Sequence, residues 1–428
     1  MKLPDSLAGW LAFVEHQHHQ TIALGLERVR DVLGRMDSPI ACPVITVSGT
    51  NGKGSTCAML ESILGAAGYR VGLYSSPHLL RYNERVRVAG PEASDAQLCR
   101  AFAAVEQARA GVPLTYFEFG TLAALWHFSR ARLDAAILEV GLGGRLDAVN
   151  AVEPDCALLT SVDLDHMDLL GSTRESIGRE KAGIFRAGRP AVVALTDPPQ
   201  SVLDAALSAG ADLLRLGEDF GFTSESAQWS YWGPSGRRHG LAFPALRGKI
   251  QLRNAAAALC ALDSLRERLP VAMQEIRDGL ATLTLPGRFQ VVPGRPQIIL
   301  DVGHNPEAAG VLRDNLRATG FAPNTIAVMG MLQDKDIAGV AAVLSPVVDA
   351  WHLASLPGPR GATAEALASV VEPVAAGKPV TRHAGPAEAL RAARSAASPD
   401  DKIIVLGSFL TVGAVLALLN VEKGVSHG

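Results

Sequence analysis

The sequence predicts two α/β domains with largely parallel sheets, joined near residue 286, and three observations lead there. Short β-branched runs alternate with longer amphipathic ones along most of the chain, the pattern of strands connected by crossover helices. One of these runs leads through a glycine-rich loop into a helix at 44–67. A second alternating series begins only after the Pro-Gly turn signal in Leu285-Pro286-Gly287-Arg288-Phe289, which reads as a linker. The length of 428 residues suits two domains at about 100–200 residues each.

In order, the first series reads as strands at 44–47, 71–74, 135–140, 157–161 and 191–194, with helices at 55–67, 96–110, 117–130 and 173–185. From 220 to 244 the texture changes to Trp, Ser, Gly and Arg, the mark of short antiparallel strands or a long loop. A helical pair follows at 254–268 and 271–280. The second series places strands at 298–302, 325–329, 350–353, 380–383 and 403–406. The domains are therefore set at 1–285 and 286–428.

Composition excludes several classes of function. At 48% hydrophobic and 19% charged residues the chain has material for real cores and is not disordered. Forty basic residues against forty-three acidic ones give a net charge of −3, without the basic surplus expected of a nucleic-acid binder. The five cysteines lie far apart with no CxxC pair, neither a disulfide framework nor a thiolate metal site. The amino terminus lacks the apolar core of a signal peptide, and the apolar stretch 409–419 falls short of the about 20 residues that span a bilayer. The expectation is a cytoplasmic protein with no membrane partner.

The loop Gly49-Thr50-Asn51-Gly52-Lys53-Gly54-Ser55-Thr56 carries the clearest chemistry. Glycines let backbone N–H groups approach phosphate oxygens, the following helix terminus adds positive potential, and Lys53 can reach terminal phosphates. A hydroxyl of Ser55 or Thr56 can ligate Mg²⁺. The spacing departs from GxxxxGK[ST], since Val47 stands where the first glycine belongs and Gly54 separates Lys53 from Ser55. Glu139 ends an apolar strand at the carboxyl edge of the sheet, where α/β proteins hold ligands; the alternative is a helix cap or an ion pair with Arg145. His166 reads unaided as part of a solvated acidic loop. Lys181 is open to the reading of a surface lysine paired with Glu180 or Glu175.

The GTNGKGS loop is that of ATP-dependent carboxylate–amine ligases of the Mur ligase type. Further segments line up with it: Ser75-Ser76-Pro77-His78, Arg81-Tyr82-Asn83-Glu84-Arg85, Leu138-Glu139-Val140-Gly141-Leu142-Gly143-Gly144-Arg145-Leu146-Asp147-Ala148, Asp165-His166, Glu180-Lys181-Ala182-Gly183, Asp301-Val302-Gly303-His304-Asn305-Pro306 and Gly407-Ser408-Phe409. Together, from about residue 10 to 420, they resemble the bifunctional dihydrofolate synthase/folylpolyglutamate synthase family of bacteria.

The resemblance implies an amino-terminal P-loop ATPase domain and a smaller Rossmann-like carboxyl-terminal domain. It implies an ATP- and Mg²⁺-dependent ligase that joins L-glutamate to dihydropteroate and extends reduced folates, as a monomer without nucleic acid. Thr50, Asn51, Gly52, Lys53, Gly54, Ser55, Asn254, Arg288 and Asp301 would hold ATP. Ser76, Glu139, His166 and Ser55 would serve Mg²⁺, two ions in all, and Lys53, Lys181, His166 and Glu139 the chemistry. Lys181 would be carbamylated, which needs a neutral amine and hence a pKa depressed from about 10.4.

Thr115, Tyr116, Phe117, Glu118, Leu146, Asp147, Ala148 and His18 would line the pterin site, although Tyr116 and Phe117 read equally well as core packing at a helix start. The His16–His19 run reads by itself as a solvated helix face. His304 and Ser408 would bind glutamate. The chain departs from the family pattern at Gly303, usually Ala, and at Leu410, usually His. Three other readings compete. A synthase that only extends folates is disfavoured by Thr115–Glu118, and a cell-wall Mur ligase by the absence of room before residue 49. A nucleotide-binding module without ligase activity leaves Arg288, Asp301 and His304 without purpose.

Overall fold

The computed structural model describes residues 3–20 and 22–422, and these form two compact units: residues up to Ala245 with Leu252–Leu283, and Leu246–Gln251 with Thr284 onward. In the first unit seven strands make one sheet: β1 (Val44–Ser48), β2 (Val71–Tyr74), β3 (Val86–Val88), β4 (Ala135–Glu139), β5 (Cys156–Leu159), β6 (Pro190–Val193) and β7 (Asp212–Arg215). Their order is β3-β2-β4-β1-β5-β6-β7, parallel except for β3. β1, β2, β4 and β5 are buried along their whole length, which is why they read as unbroken apolar runs.

Register brings the carboxyl ends of the central strands together. Val47 pairs with Glu139, Ser48 with Leu159, and Tyr74 with Leu138. The chain leaves β1 toward β2 on one side while β5 to β7 extend on the other, so the loop after β1 stands where the strand order reverses. The helix Lys53–Ala66 that follows buries Met59, Leu60, Ile63 and Leu64. It packs closely on Met273–Thr282: a Cβ on Gly279 would lie 2.6 Å from Ile63 Cα.

The stretch expected as antiparallel strands or loop is a three-stranded antiparallel sheet of β8 (Gly221–Ser224), β9 (Trp229–Gly233) and β10 (Gly236–Leu241). Trp229 and Tyr231 are its buried anchors. The Tyr231 hydroxyl donates to Asp263 at 2.8 Å, and Arg238 donates to both oxygens of the same carboxylate.

The second unit holds β11 (Gln290–Val292), β12 (Gln297–Asp301), β13 (Thr325–Met329), β14 (Ala350–Ala354), β15 (Val380–His383) and β16 (Lys402–Leu406) in the order β11-β12-β16-β13-β14-β15. Only β11 runs antiparallel. The segment 285–289, read as a linker, follows directly on the boundary between the units at Leu283 and Thr284, and its far end is packed into the second unit. Phe289 sits in the unit's core beside Ile299 and Ala309, and Val302 N–H donates to Gly287 O at 2.9 Å. Three strands escape the sequence pattern, β3, β7 and β11, each at a sheet edge or carrying polar residues. The described cysteines are all free thiols, and no helix among the described residues is long and apolar enough to cross a membrane.

His352, buried on β14, faces His383 on the edge strand β15, with nitrogens 3.0 Å apart and Thr381 Oγ1 touching both. Burial, then the neighbouring imidazole, pushes His352 down to about 4. A depressed histidine costs stability where the unfolded state binds the proton and the folded state does not, so this cost is absent above pH about 6.5 and grows as pH falls toward about 4. The urea midpoint of the wild type should therefore fall more steeply over that interval than that of His352→Gln. Parallel slopes would show that the pair does not set acid sensitivity.

Candidate active site

The loop after β1 is fastened to the segment after β5 by a dense set of bonds. Thr50 N–H donates to Ser161 O at 2.9 Å and Asn51 N–H to Ser161 Oγ at 2.8 Å. Thr160 Oγ1 donates to Asn51 O at 2.6 Å, and Asp163 N–H to Thr50 Oγ1 at 3.0 Å. The approach requires glycine: a Cβ on Gly49 would lie 1.8 Å from Thr160 Oγ1. Gly52 has φ +87°, the left-handed region that favours glycine, and a Cβ there would meet Asn254 Oδ1 at 2.9 Å. Asn254, buried in the helix Ile250–Ser264, thus stands against the loop.

Lys53 opens the helix and folds back, its Nζ donating to Gly49 O at 2.9 Å and Thr50 O at 3.2 Å. Ser55 and Thr56 are buried in the same first turn. Beneath them the Cys57 thiol is raised well above its ordinary value, by burial first and then by Glu139, with Lys53 acting against both.

Glu139 is 4% exposed at the end of β4, and Ser76 N–H donates to its Oε2 at 3.3 Å. Two expected metal residues therefore meet directly. The pairing with Arg145 that sequence left open does not occur; Arg145 binds Glu180 at 2.9 Å. The turn following Glu139 is shaped by Asp147, whose buried carboxylate accepts N–H groups of Gly141 at 3.1 Å, Leu142 at 2.8 Å and Val149 at 3.0 Å. Burial pushes Asp147 up to about 6, against the pull of these donors and of Lys53. The Asp147 oxygens are engaged with the backbone, which gives this residue a structural task beside the pterin role expected of it. Leu146 and Ala148 flank it on the same turn.

Lys181 is 5% exposed in the last turn of Arg174–Ala182 and is not a surface lysine. Its expected partners are engaged elsewhere: Glu180 with Arg145, and Glu175 with the N–H groups of Gln200 and Ser201. A Cβ on Gly144 would lie 2.6 Å from Lys181 O, so the glycine turn and this helix end are in close contact. His166 follows three residues after Asp163 with φ +51°, an uncommon conformation for a non-glycine residue. Its Nε2 is 3.9 Å from Asp165 Oδ2.

Among the described residues no three His, Cys, Asp or Glu side chains form a metal cluster. The donors expected for a cation are the buried Glu139 carboxylate, the Ser55 and Ser76 hydroxyls and the His166 imidazole. That set fits a hard cation completing its shell with water and phosphate oxygens, and it does not fit a cation held by protein alone.

Thr115 caps the helix Tyr116–Ser129 in a reciprocal box with Glu118, which also binds Arg28 at 2.7 Å. The T-x-x-E spacing is readable in sequence as a capping box, and it commits these two polar side chains to the fold. Tyr116 and Phe117 are half-buried, and the Phe117 ring lies against Gly141. His18 does not lie on a helix face: the helix Leu7–Glu15 ends before it, where His16 N–H bonds back to Phe13 O. The His18 ring stacks on His19 at 4.5 Å, with Nδ1 held by Gln20 N–H at 2.9 Å.

In the second unit Asp301, Gly303, His304 and Ser408 gather at the carboxyl ends of β12 and β16. Asp301 accepts N–H groups of Phe289 at 2.9 Å and Gly303 at 2.8 Å, and burial raises its carboxyl while Arg288 lowers it. Arg288 lies over the Phe409 ring at 5.2 Å. His304 Nδ1 contacts Val302 O at 2.9 Å, and Ser408 Oγ accepts Leu410 N–H at 3.1 Å. Sequence reasoning missed Thr160, Ser161 and Asp163 as the loop's anchors; a Thr-Ser pair just past a strand facing a glycine loop was the available signal.

The Mur ligase middle domain matches residues 47–262, and the Mur ligase, glutamate ligase domain matches residues 287–409. The dihydrofolate synthase/folylpolyglutamate synthase of Escherichia coli (strain K12) is 48% identical over 97% of this chain and 96% of its own length. The solved structure of Escherichia coli FolC in complex with DHPP and ADP is similar at a TM-score of 0.93 and 47% identity, over 99% of this chain and 100% of that one. A bifunctional folylpolyglutamate synthase/dihydrofolate synthase with Mn, AMPPNP and L-glutamate bound gives 0.90 at 48% identity, over 98% and 100%.

The Gly49–Thr160 contact predicts that Gly49→Ala loses about 1–3 kcal/mol of stability through overpacking, read as a lower urea midpoint. An unchanged midpoint would mean that the loop can move off β5 freely.

Proposed function

Since the chain belongs to the Mur ligase family, among the dihydrofolate synthases/folylpolyglutamate synthases, we propose the following division of labour for its residues. The protein is an ATP-dependent ligase that adds L-glutamate to dihydropteroate and extends reduced folates through γ-linked amides. The observation that carries this reading is end-to-end identity of 48% to such an enzyme, combined with a glycine loop standing beside a buried carboxylate at one sheet edge.

A carboxylate resists attack by an amine until it is activated, and phosphoryl transfer from ATP yields an acyl phosphate that glutamate can attack. Catalysis of that transfer rests on positioning and on neutralising phosphate charge. Backbone N–H groups of Gly52 to Ser55 at the helix terminus face the phosphates, while Thr50 and Asn51 N–H stay bonded to Ser161, and Lys53 Nζ exchanges its loop carbonyls for phosphate oxygens. Asn254, Arg288 and Asp301 bind the remainder of the nucleotide in this reading. The nucleotide comes with a divalent cation, as in the relative holding Mn and AMPPNP.

We assign that cation as Mg²⁺, in two ions, to Ser76, Glu139, His166 and Ser55; bound there it would neutralise charge on the transferring phosphoryl group. Lys181, buried next to the Gly144 turn, is carbamylated in this reading. Tyr116, Phe117, Leu146, Ala148 and His18 line the pterin site, with Thr115, Glu118 and Asp147 holding its wall. His304 and Ser408 receive glutamate. Residues 1–285 form the ATP and folate domain, and 286–428 the glutamate domain. The enzyme works in the cytoplasm as a monomer, without nucleic acid or membrane partners.

Incubation with ATP, Mg²⁺ and L-glutamate should add one residue to dihydropteroate and one or more to tetrahydrofolate, read by mass spectrometry. Extension of folate alone would restrict the enzyme to polyglutamate synthesis, and no adduct would overturn the ligase reading. Lys53→Ala should lower both rates by about 10²-fold or more while leaving the urea midpoint nearly unchanged. Tryptic peptides of native protein should carry the mass of one CO₂ on Lys181 after trapping; an unmodified lysine in active enzyme would exclude carbamylation.

A further inference from the structure

Beside the Tyr82 and Tyr116 rings stands a cation, Arg85, that no carboxylate among the described residues pairs with. Arg85 ends the turn Tyr82–Arg85, and its Cζ lies 5.3 Å from the Tyr82 ring centre and 5.6 Å from that of Tyr116. Its Nε donates to His78 Nδ1 at 2.9 Å. Its backbone O accepts Ser75 N–H at 3.0 Å, which ties it next to Ser76 and so to the Glu139 end of the sheet.

The neighbouring charges are otherwise occupied. Glu84 accepts the N–H groups of Leu79, Leu80 and Arg81, and Arg87 pairs with Glu61. Among the described residues Arg85 has no carboxylate partner, and its two Nη groups make no hydrogen bond with the protein. Two aromatic faces and an imidazole hold the guanidinium in place, so little further rotamer entropy is lost when a ligand binds it. A planar fork in this state suits a carboxylate.

The two acyl substrates differ in their carboxylates. Dihydropteroate has one, and it is the group that reacts. A folate bearing a glutamate tail has two, of which the γ-carboxylate reacts and the α-carboxylate is a spectator. We propose that Arg85 forms the subsite for this spectator carboxylate, and so serves folate extension while being dispensable for dihydropteroate. The inference rests on the proposed function and on the aromatic wall as part of the folate site.

The test is steady-state kinetics of full-length wild type and Arg85→Gln with each acyl substrate, at saturating ATP and L-glutamate. The variant should raise the KM for tetrahydrofolate on the order of 10-fold or more, the loss expected for a hydrogen-bonded ion pair, with kcat little changed. Its KM for dihydropteroate should stay within about 2-fold on the same reasoning. If the wild type extends folate alone, the inhibition constant of dihydropteroate replaces its KM. Should Arg85→Gln fail to fold, Arg85→Lys, which keeps the charge but loses the fork, should show the same split at smaller size. An equal rise for both substrates, or no rise for either, overturns the subsite. A wild type that acts on neither substrate fails the ligase reading itself, a result distinct from both.

Discussion

The bonds between the glycine loop and the end of β5 are the constraint on which the rest depends. A phosphate loop must keep the N–H groups at its helix end outward, so its first residues need partners on the protein side for N–H and carbonyl alike. Thr160, Ser161 and Asp163 provide these partners for Ser48, Thr50 and Asn51. Because β5 lies next to β1 in register, this anchoring comes from the sheet itself, without an additional loop. The approach is close enough that residue 49 has no room for a Cβ. The glycine there is thus needed by the protein's own packing, apart from any need to admit a ligand.

A second turn is built by similar means on the other side of β1. After Glu139 the chain reverses through Gly141 to Gly144, and Asp147 gathers three N–H groups, among them that of Val149, which is buried. Leaving such a group unsatisfied costs about 1–3 kcal/mol. Ser48 Oγ donates to Gly143 O at 2.7 Å, joining this turn to the strand that carries the phosphate loop. Gly144 then abuts the backbone of Glu180 and Lys181. Glu139 and Lys181 are thereby set by one connected framework, although forty-two positions separate them in the chain.

Much of this was legible in the sequence because central strands and the glycine loop leave local marks. β1, β2, β4 and β13 read correctly from unbroken apolar runs, and Glu139 was identifiable as a carboxylate ending one of them. Tertiary facts were not legible. The burial of Lys181 depends on Gly144 lying against its helix, and nothing near residue 181 encodes that. Phe289 looks like part of a linker because Pro286 and Gly287 precede it, yet its ring belongs to a core assembled from β12 and the helix Pro306–Ala318. His18 fell off its expected helix because the run Leu7–Glu15 stops where His16 N–H turns back, and no proline or glycine announces that stop.

The two departures from the family pattern have different physical weight. A Cβ on Gly303 would lie 2.8 Å from Asp301 Oδ1 and 3.1 Å from Ala308 Cβ, so here the carboxylate sits closer to the backbone than an alanine would allow. Across this short gap Gly303 N–H donates to Asp301 at 2.8 Å. Leu410 is different. It is 49% exposed in the first turn of Phe409–Glu422, and the bond it makes to the site, from its N–H to Ser408 Oγ, comes from the backbone. Any side chain but proline preserves that cap, so leucine gives up the polar group of a histidine without disturbing Ser408. The departure at 303 is built into the geometry around Asp301, whereas the one at 410 changes only what the surface presents.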